Sequence, residues 1–117
     1  MTEVPVSELA RKAGVLWVAA PGHRPVACWQ IWRNDRSYVL TGPGEQPLPG
    51  LAGAATCELT ARSADTGGRA GRWTATVAEV PRGGDEWDEV FPALAGARLN
   101  GHPDPATAVV LSLSPAG

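Results

Sequence analysis

Lysine is almost missing from this chain. Of ten cationic residues, nine are arginines and one is Lys12; twelve acidic residues bring the formal charge to −2. With a pI of about 5.6 there is no general basic field, so nucleic acid is not expected as a partner. No run of about 18 apolar residues occurs, which excludes a membrane-spanning helix and makes a membrane an unexpected partner. The start of the chain has no basic segment followed by an apolar one, so secretion is not expected and a cytoplasmic location is. Cysteine is scarce as well. Cys28 and Cys57 stand apart in apolar runs, without a CxxC spacing or a nearby histidine pair. Each reads as a small buried apolar residue, and an intracellular setting disfavours a disulfide between them. His23 and His102 neighbour Gly and Pro in expected turns, so no metal site is indicated. Ser–His–Asp sets and paired catalytic carboxylates are also missing, which argues against hydrolases and metalloenzymes and leaves the catalytic residues unidentified.

What is present is a globular composition, 44% hydrophobic and 19% charged in 117 residues. That length is enough for one domain, residues 1–117, burying roughly two-thirds of its unfolded-chain surface. Residues 4–13 read as a short helix with Ser7 as a possible N-cap, ended by Gly14. Residues 15–20 are continuously apolar, which suits a strand buried on both sides in a barrel or at a dimer interface. Residues 25–32 alternate, with Val26, Cys28, Gln30 and Trp32 on one face and Ala27, Trp29 and Ile31 on the other. A polar turn at 33–36 leads to a third strand over 37–41, a hairpin pattern.

The third strand then breaks into a corner over residues 43–53, rich in Gly and Pro, where Leu48, Leu51 and Ala52 could form one helical turn. Backbone N–H groups after such a strand end can face an anion; a tight structural corner is the simpler reading. Strands follow over 55–61 and 72–80, joined by a polar connection at 62–71 in which Asp65, Thr66, Gly67 and Gly68 suit a turn. Asp85 is the expected N-cap of a second helix. Its Trp87, Val90, Phe91 and Leu94 recur at helical spacing, and Pro92 predicts a kink or a restart. Asn100-Gly101 should stop it, and residues 106–114 make the last strand. The reading is mainly β: a barrel of six antiparallel-type strands with two short helices covering its ends or edges.

Three segments carry a resemblance: Arg24-Pro25-Val26-Ala27-Cys28-Trp29, Tyr38-Val39-Leu40-Thr41-Gly42, and Arg69-Ala70-Gly71-Arg72-Trp73. Together with the element order they resemble the FMN-binding split β-barrel superfamily, the pyridoxamine 5′-phosphate oxidase-like proteins, and its small actinobacterial-type members in length. The resemblance implies a split β-barrel, a homodimer, and FMN or a deazaflavin in the groove between barrels. It implies a flavin- or deazaflavin-dependent oxidoreductase acting on a small molecule, in which the cofactor carries the redox chemistry. For such a ligand the candidate cofactor-binding residues are Arg24, Arg62, Arg69 and Arg72 as cations, Thr41 and Gly42 for a hydroxyl and an N–H, Trp29, Trp32 or Trp73 to stack on the ring, and Gln46 to meet a ring edge.

The chain also departs from that pattern. Glu45-Gln46-Pro47 stands where the oxidases carry a Ser-Arg-Lys phosphate clamp, Trp29 replaces the second-strand lysine, and Ala70 replaces a flavin-contacting Gln. The C-terminal substrate-binding tail of the oxidases is also missing, so pyridoxamine phosphate oxidation is not expected. The alternative is a non-catalytic split-barrel dimer without flavin, binding another small ligand or a protein partner. On that reading the arginines are solvated strand ends or salt-bridge partners of Glu58, Asp65 and Glu79, and the tryptophans largely fill the core.

Overall fold

The computed structural model describes residues 6–43, 45–62, 69–97 and 104–116. Helix α1 (Val6–Lys12) precedes strands β1 (Val15–Ala19), β2 (Val26–Trp29), β3 (Ile31–Arg33), β4 (Arg36–Thr41), β5 (Thr56–Arg62) and β6 (Arg69–Glu79). Helix α2 (Asp85–Ala97) and strand β7 (Val109–Pro115) complete the order. All strand pairs are antiparallel, in one sheet of order β2-β1-β5-β6-β7-β4-β3. Its two edge strands are consecutive in sequence, separated only by Gln30, so the sheet curls into a nearly closed barrel.

That break accounts for seven strands where six were expected. Residues 26–29 pair with β1 and residues 31–33 pair with β4. At the corner between them, Gln30 donates through its backbone to Gly14 O (3.3 Å) and through Nε2 to Ala10 O (2.9 Å) and Ala13 O (2.5 Å). A side-chain amide thus bonds carbonyls at the C-terminal end of α1, where the regular helix bonds run out and Ala10 O accepts in addition from Ala13 N at 3.3 Å. The fifth expected strand starts earlier, at Arg69, and the last one later, at Val109. The turn expected at 65–68 and the helix stop at Asn100-Gly101 lie outside the described residues.

The barrel interior is filled by Leu16, Val18, Cys28, Val39, Leu51, Cys57, Leu59, Trp73, Ala75, Leu111 and Leu113. Helix α1 closes one end: Ala10 is fully buried, and Leu9 sits where a Cβ on Gly71 would go. Ser7 lies within α1 rather than capping it. A second apolar layer joins α2 to the outward sides of β4 and β7 through Tyr38, Leu40, Val80, Trp87, Val90, Leu94 and Val110. The strands buried on both faces are therefore β4 and β7. Strand β1 instead alternates, with Leu16 and Val18 inside and Val15 52% exposed. An all-apolar run does not reveal which strand a helix will cover.

Helix α2 starts one residue earlier than its acidic cluster suggests. Asp88 N donates to Gly84 O at 3.0 Å, so Gly84 occupies the N-cap and Asp85 the first helical position. Asp85, Glu86 and Asp88 keep their place at the positive end of the helix dipole. Pro92 is accommodated inside the helix, at an exposed position. The N-terminal end of α2 is tied to the β3–β4 hairpin. Tyr38 Oη donates to Glu86 Oε2 (2.5 Å), Asn34 Nδ2 donates to Tyr38 Oη and Glu89 Oε1, and Arg36 pairs with Glu86 at 3.6 Å.

Candidate functional site

Strand alternation divides the expected site residues into two groups. On β1, β2 and β5, the residues between the buried ones point outward: Val15, Trp17 and Ala19; Ala27 and Trp29; Glu58, Thr60 and Arg62. Register places Ala27, Trp17, Thr60 and Arg72 in one row across four strands. A cleft of about 310 Å³ opens over this row, lined by Trp17, Arg24, Pro25, Thr60 and Arg62. The Arg62 guanidinium lies 5.5 Å from the centre of the Trp17 ring, a cation–π contact that orders the charge at the cleft wall. Trp17 was not singled out in the sequence; the signal available was its outward register beside two arginine-bearing strand ends.

One step along the same face, a groove of about 380 Å³ is lined by Gly14, Val15, Ala27, Cys28, Trp29, Gln46 and Ala97. Its lining is chiefly apolar, and Trp29 packs from there onto the layer beneath α2. Val15 and Trp17 are two residues apart on β1, so the two depressions lie about 7 Å apart along the strand. The outward face thus offers two guanidinium groups and a hydroxyl beside an apolar slot with an indole wall.

The second group is held by the protein itself. Thr41 Oγ1 donates to Gln46 O at 2.8 Å. The Gln46 side chain accepts from Trp29 N and donates to Trp29 O and Leu40 O, each at 3.1 Å. A ring-edge contact from Gln46 would have to break these bonds. Gly42 has φ 122°, and a Cβ there would stand 2.7 Å from Thr107 O. Its glycine allows this close packing of backbone on backbone. The corner beyond it forms successive turns, Leu51 N to Leu48 O and Ala54 N to Leu51 O (both 3.1 Å), with Leu51 buried and Ala52 exposed.

Arg72 pairs with Glu58 across β5 and β6, as the salt-bridge reading supposes. The backbone of Arg69 pairs with Arg62, and the Arg69 side chain is outside what is described. Of the three tryptophans weighed as ring-stackers, Trp73 fills the barrel and Trp32 packs against its core. Trp29 alone of the three reaches the groove. His23 is exposed in a turn, and no group of His, Cys, Asp or Glu among the described residues could hold a metal.

Cys28 and Cys57 are free and buried. Burial pushes the Cys28 thiol up to about 12 and the Cys57 thiol up to about 11, with the neighbouring Cys57 adding to the effect on Cys28. Neither is a nucleophile at neutral pH. Burial also raises Tyr38, an effect its hydrogen bond from Asn34 opposes.

The fold is that of the pyridoxamine 5′-phosphate oxidase-like split β-barrels, as the element order and Arg24, Tyr38–Gly42 and Arg69–Trp73 segments implied. Among solved structures, HutZ, the heme storage protein from Vibrio cholerae, superposes with a TM-score of 0.65 at 14% identity, covering 96% of this chain and 88% of that one. An F420 reductase gives 0.62 at 15% identity, with 97% of both chains covered. A candidate pyridoxamine 5′-phosphate oxidase from Listeria innocua gives 0.66 at 14% identity, covering 94% of this chain and 90% of that one. No family model and no curated protein matches the sequence.

Proposed function

We propose that this chain forms a homodimer that binds an anionic cofactor with a planar ring, FMN or a deazaflavin, and acts as an oxidoreductase on a small molecule. The observation that supports this is the juxtaposition on one outward face of the Arg24–Trp17–Arg62 cleft and the Trp29 groove. Guanidinium forks bond phosphate oxygens with charge assistance, and Thr60 can add a hydroxyl. The groove suits the ring, whose faces gain from apolar burial beside an indole. When bound, such a cofactor supplies hydride transfer. The residues of this chain bind its anionic end, orient the ring and exclude water from one side of it.

The residues present do not fit the phosphate mode of the oxidases. In the turn after β4, Glu45 carries a carboxylate, Pro47 has no N–H, the Thr41 hydroxyl is spent on Gln46 O, and the Gln46 amide on the backbones of Trp29 and Leu40. The binding mode we propose is therefore displaced toward β1 and β5. The half-exposed strip of Val15, Ala27, Trp29 and Ala19 favours a second copy across the same face, since aromatic and aliphatic surface is what interface cores bury. Sedimentation across micromolar concentrations should give a dimer. A cytoplasmic setting is part of the proposal and suits two free, buried thiols.

Titration with FMN, riboflavin and F420, followed by fluorescence, tests the reading. Binding of FMN at least tenfold tighter than riboflavin is expected, because only FMN reaches the arginines with a phosphate. The loss of every flavin and deazaflavin signal would sink it. The saturation of Gln46 and the engagement of Arg72 favour a second reading, a non-catalytic split-barrel dimer that binds another ligand. Heme is a planar ring with carboxylates, so heme binding without flavin binding would point there.

A further inference from the structure

The β3–β4 hairpin has a ladder that stops early. Asn34 and Asp35 both have positive φ, 52° and 59°, the type I′ geometry of a two-residue hairpin. Arg33 and Arg36 therefore close the turn, followed by Trp32–Ser37 and Ile31–Tyr38. Continued in register, the next two pairs are Gln30–Val39 and Trp29–Leu40. Hydrogen-bonded pairs alternate in an antiparallel ladder, so Arg33–Arg36, Ile31–Tyr38 and Trp29–Leu40 belong to the same, bonded set. Trp29 and Leu40 should then exchange backbone bonds directly.

The Gln46 amide stands between them instead. Its Oε1 accepts from Trp29 N, and its Nε2 donates to Trp29 O and to Leu40 O, all at 3.1 Å. To Trp29 it presents the acceptor and donor that a facing peptide would present. The loop delivering it is tightly built: Glu45 N donates to Gly42 O (3.0 Å), Thr41 Oγ1 fastens Gln46 O, and Gly42 packs onto Thr107 O. Beyond this point β2 pairs with β1 alone, and the groove bounded by Trp29, Gln46, Val15 and Ala97 opens where β2 and β4 part.

We propose that Gln46 is the positioning residue of the Trp29 groove: its amide is spliced into the β3–β4 ladder in place of the Trp29–Leu40 pair, and this sets the groove's width and the place of the Trp29 indole. The identity of the ligand rests on the reading above; the splice does not. Two variants of the full chain, Gln46→Ala and Gln46→Glu, separate the amide's bulk from its donor. The carboxylate of Q46E cannot donate to the two carbonyls, whereas its protonated form can. Facing carbonyl oxygens raises its pKa above the ordinary Glu value of about 4.3, so the native bonding is present at low pH and lost as pH rises through that raised value.

Amide exchange by NMR reads the splice, and riboflavin, a ring without phosphate, reads the groove. In Q46A the Trp29 protection factor should fall at least tenfold, while Leu59 and Ala75 change only by the global loss of stability. Q46E keeps the acceptor for Trp29 N and loses only the donor, so at pH 7 it should lie between Q46A and the unsubstituted protein and recover toward the latter at pH 4. Riboflavin affinity should follow the same order, weakened at least tenfold in Q46A. Equal Trp29 protection in all three proteins, or a Q46E that ignores pH, would overturn the splice. Lost protection with unchanged riboflavin affinity would overturn the positioning role. If the unsubstituted protein takes up no riboflavin, FMN replaces it as the probe of the groove; if it takes up neither, nor F420, the flavin reading falls and exchange alone decides the splice.

Discussion

Two neighbouring regions contain residues with the chemistry of an anion site, and they use it oppositely. In the turn after β4, Thr41 and Gln46 bond the protein's own backbone, and Gly42 sits against Thr107. On the outward face of β1, β2 and β5, Arg24, Thr60 and Arg62 surround a cleft open to a ligand. The difference lies in what the surrounding backbone needs. The turn stands where a barrel strand breaks at Gln30 and leaves the Trp29 and Leu40 backbone groups without their expected partners, and buried polar groups must be satisfied. The face lies on ladders between β1, β2 and β5 whose backbone groups bond one another, so no side-chain amide is called on to replace a missing strand pair there.

The comparison breaks most severely at Gly42. Gly42→Ala puts a Cβ 2.7 Å from Thr107 O in a backbone conformation of φ 122°. Strain of this kind costs about 3 kcal/mol, which urea unfolding would register directly. If Gly42 served an anion instead, the variant would keep its stability and lose ligand affinity.

The outward face should show the reverse pattern. Arg24→Ala and Arg62→Ala are each expected to weaken FMN binding by about 2 kcal/mol, roughly 30-fold, with riboflavin unchanged. Unfolding free energy should move by no more than about 0.5 kcal/mol, as for other exposed side chains. A loss shared equally by FMN and riboflavin would mean that the arginines shape the cleft without meeting the phosphate.

The barrel interior gives a pH-dependent contrast with both regions. Cys28 and Cys57 ionise only near 12 and 11, above their ordinary value of 9.0, because burial disfavours the thiolate. The neutral thiols' contribution is whole below pH 9 and is lost as pH rises through 11 and 12. The slope approaches about 1.4 kcal/mol per pH unit per thiol. Native protein should resist a thiol-specific disulfide reagent at pH 8, and urea-unfolded protein should react at two sites. On the outside of the same sheet, Tyr38→Phe removes the bond to Glu86 and is expected to cost about 1 kcal/mol, loosening α2 from the hairpin.

Much of this was legible in the chain. Alternation over 25–32 sorted Cys28, Gln30 and Trp32 inward and Trp29 outward, and the helical spacing of Trp87, Val90 and Leu94 marked the face that packs on β4. Local pattern could not show that Gln30 would turn the strand at a corner, since that depends on the C-terminal carbonyls of α1 arriving beside it. Nor could it show which apolar strand α2 covers. Of the site, the arginine-led second strand was visible and Trp17 was not, because its role depends on Arg62 from β5 lying across its ring. Gln46 was picked for the right chemistry, an amide with a donor and an acceptor, but its partners were two strands whose separation only the fold reveals.

The smallest expected effect concerns Arg72, a candidate cation for the cofactor in the sequence, which the structure pairs with Glu58. The side chains are 53% and 41% exposed, so water screens both charges and holding them together costs rotamer freedom. Arg72→Ala should therefore cost less than about 0.5 kcal/mol of stability, in line with other exposed ion pairs. Arg72 shares a register row with Trp17 and Thr60, at the far side of the cleft from Arg24. While Glu58 neutralises it, it adds little field there, so FMN affinity should fall less than threefold. Glu58→Gln makes the sharper version of the test, because it releases Arg72 without removing it. If the released guanidinium can reach the phosphate, E58Q should tighten FMN binding and leave riboflavin alone. An R72A protein that loses FMN as badly as R24A would instead place Arg72 with the open face and move the boundary between the two regions one strand further, to β6.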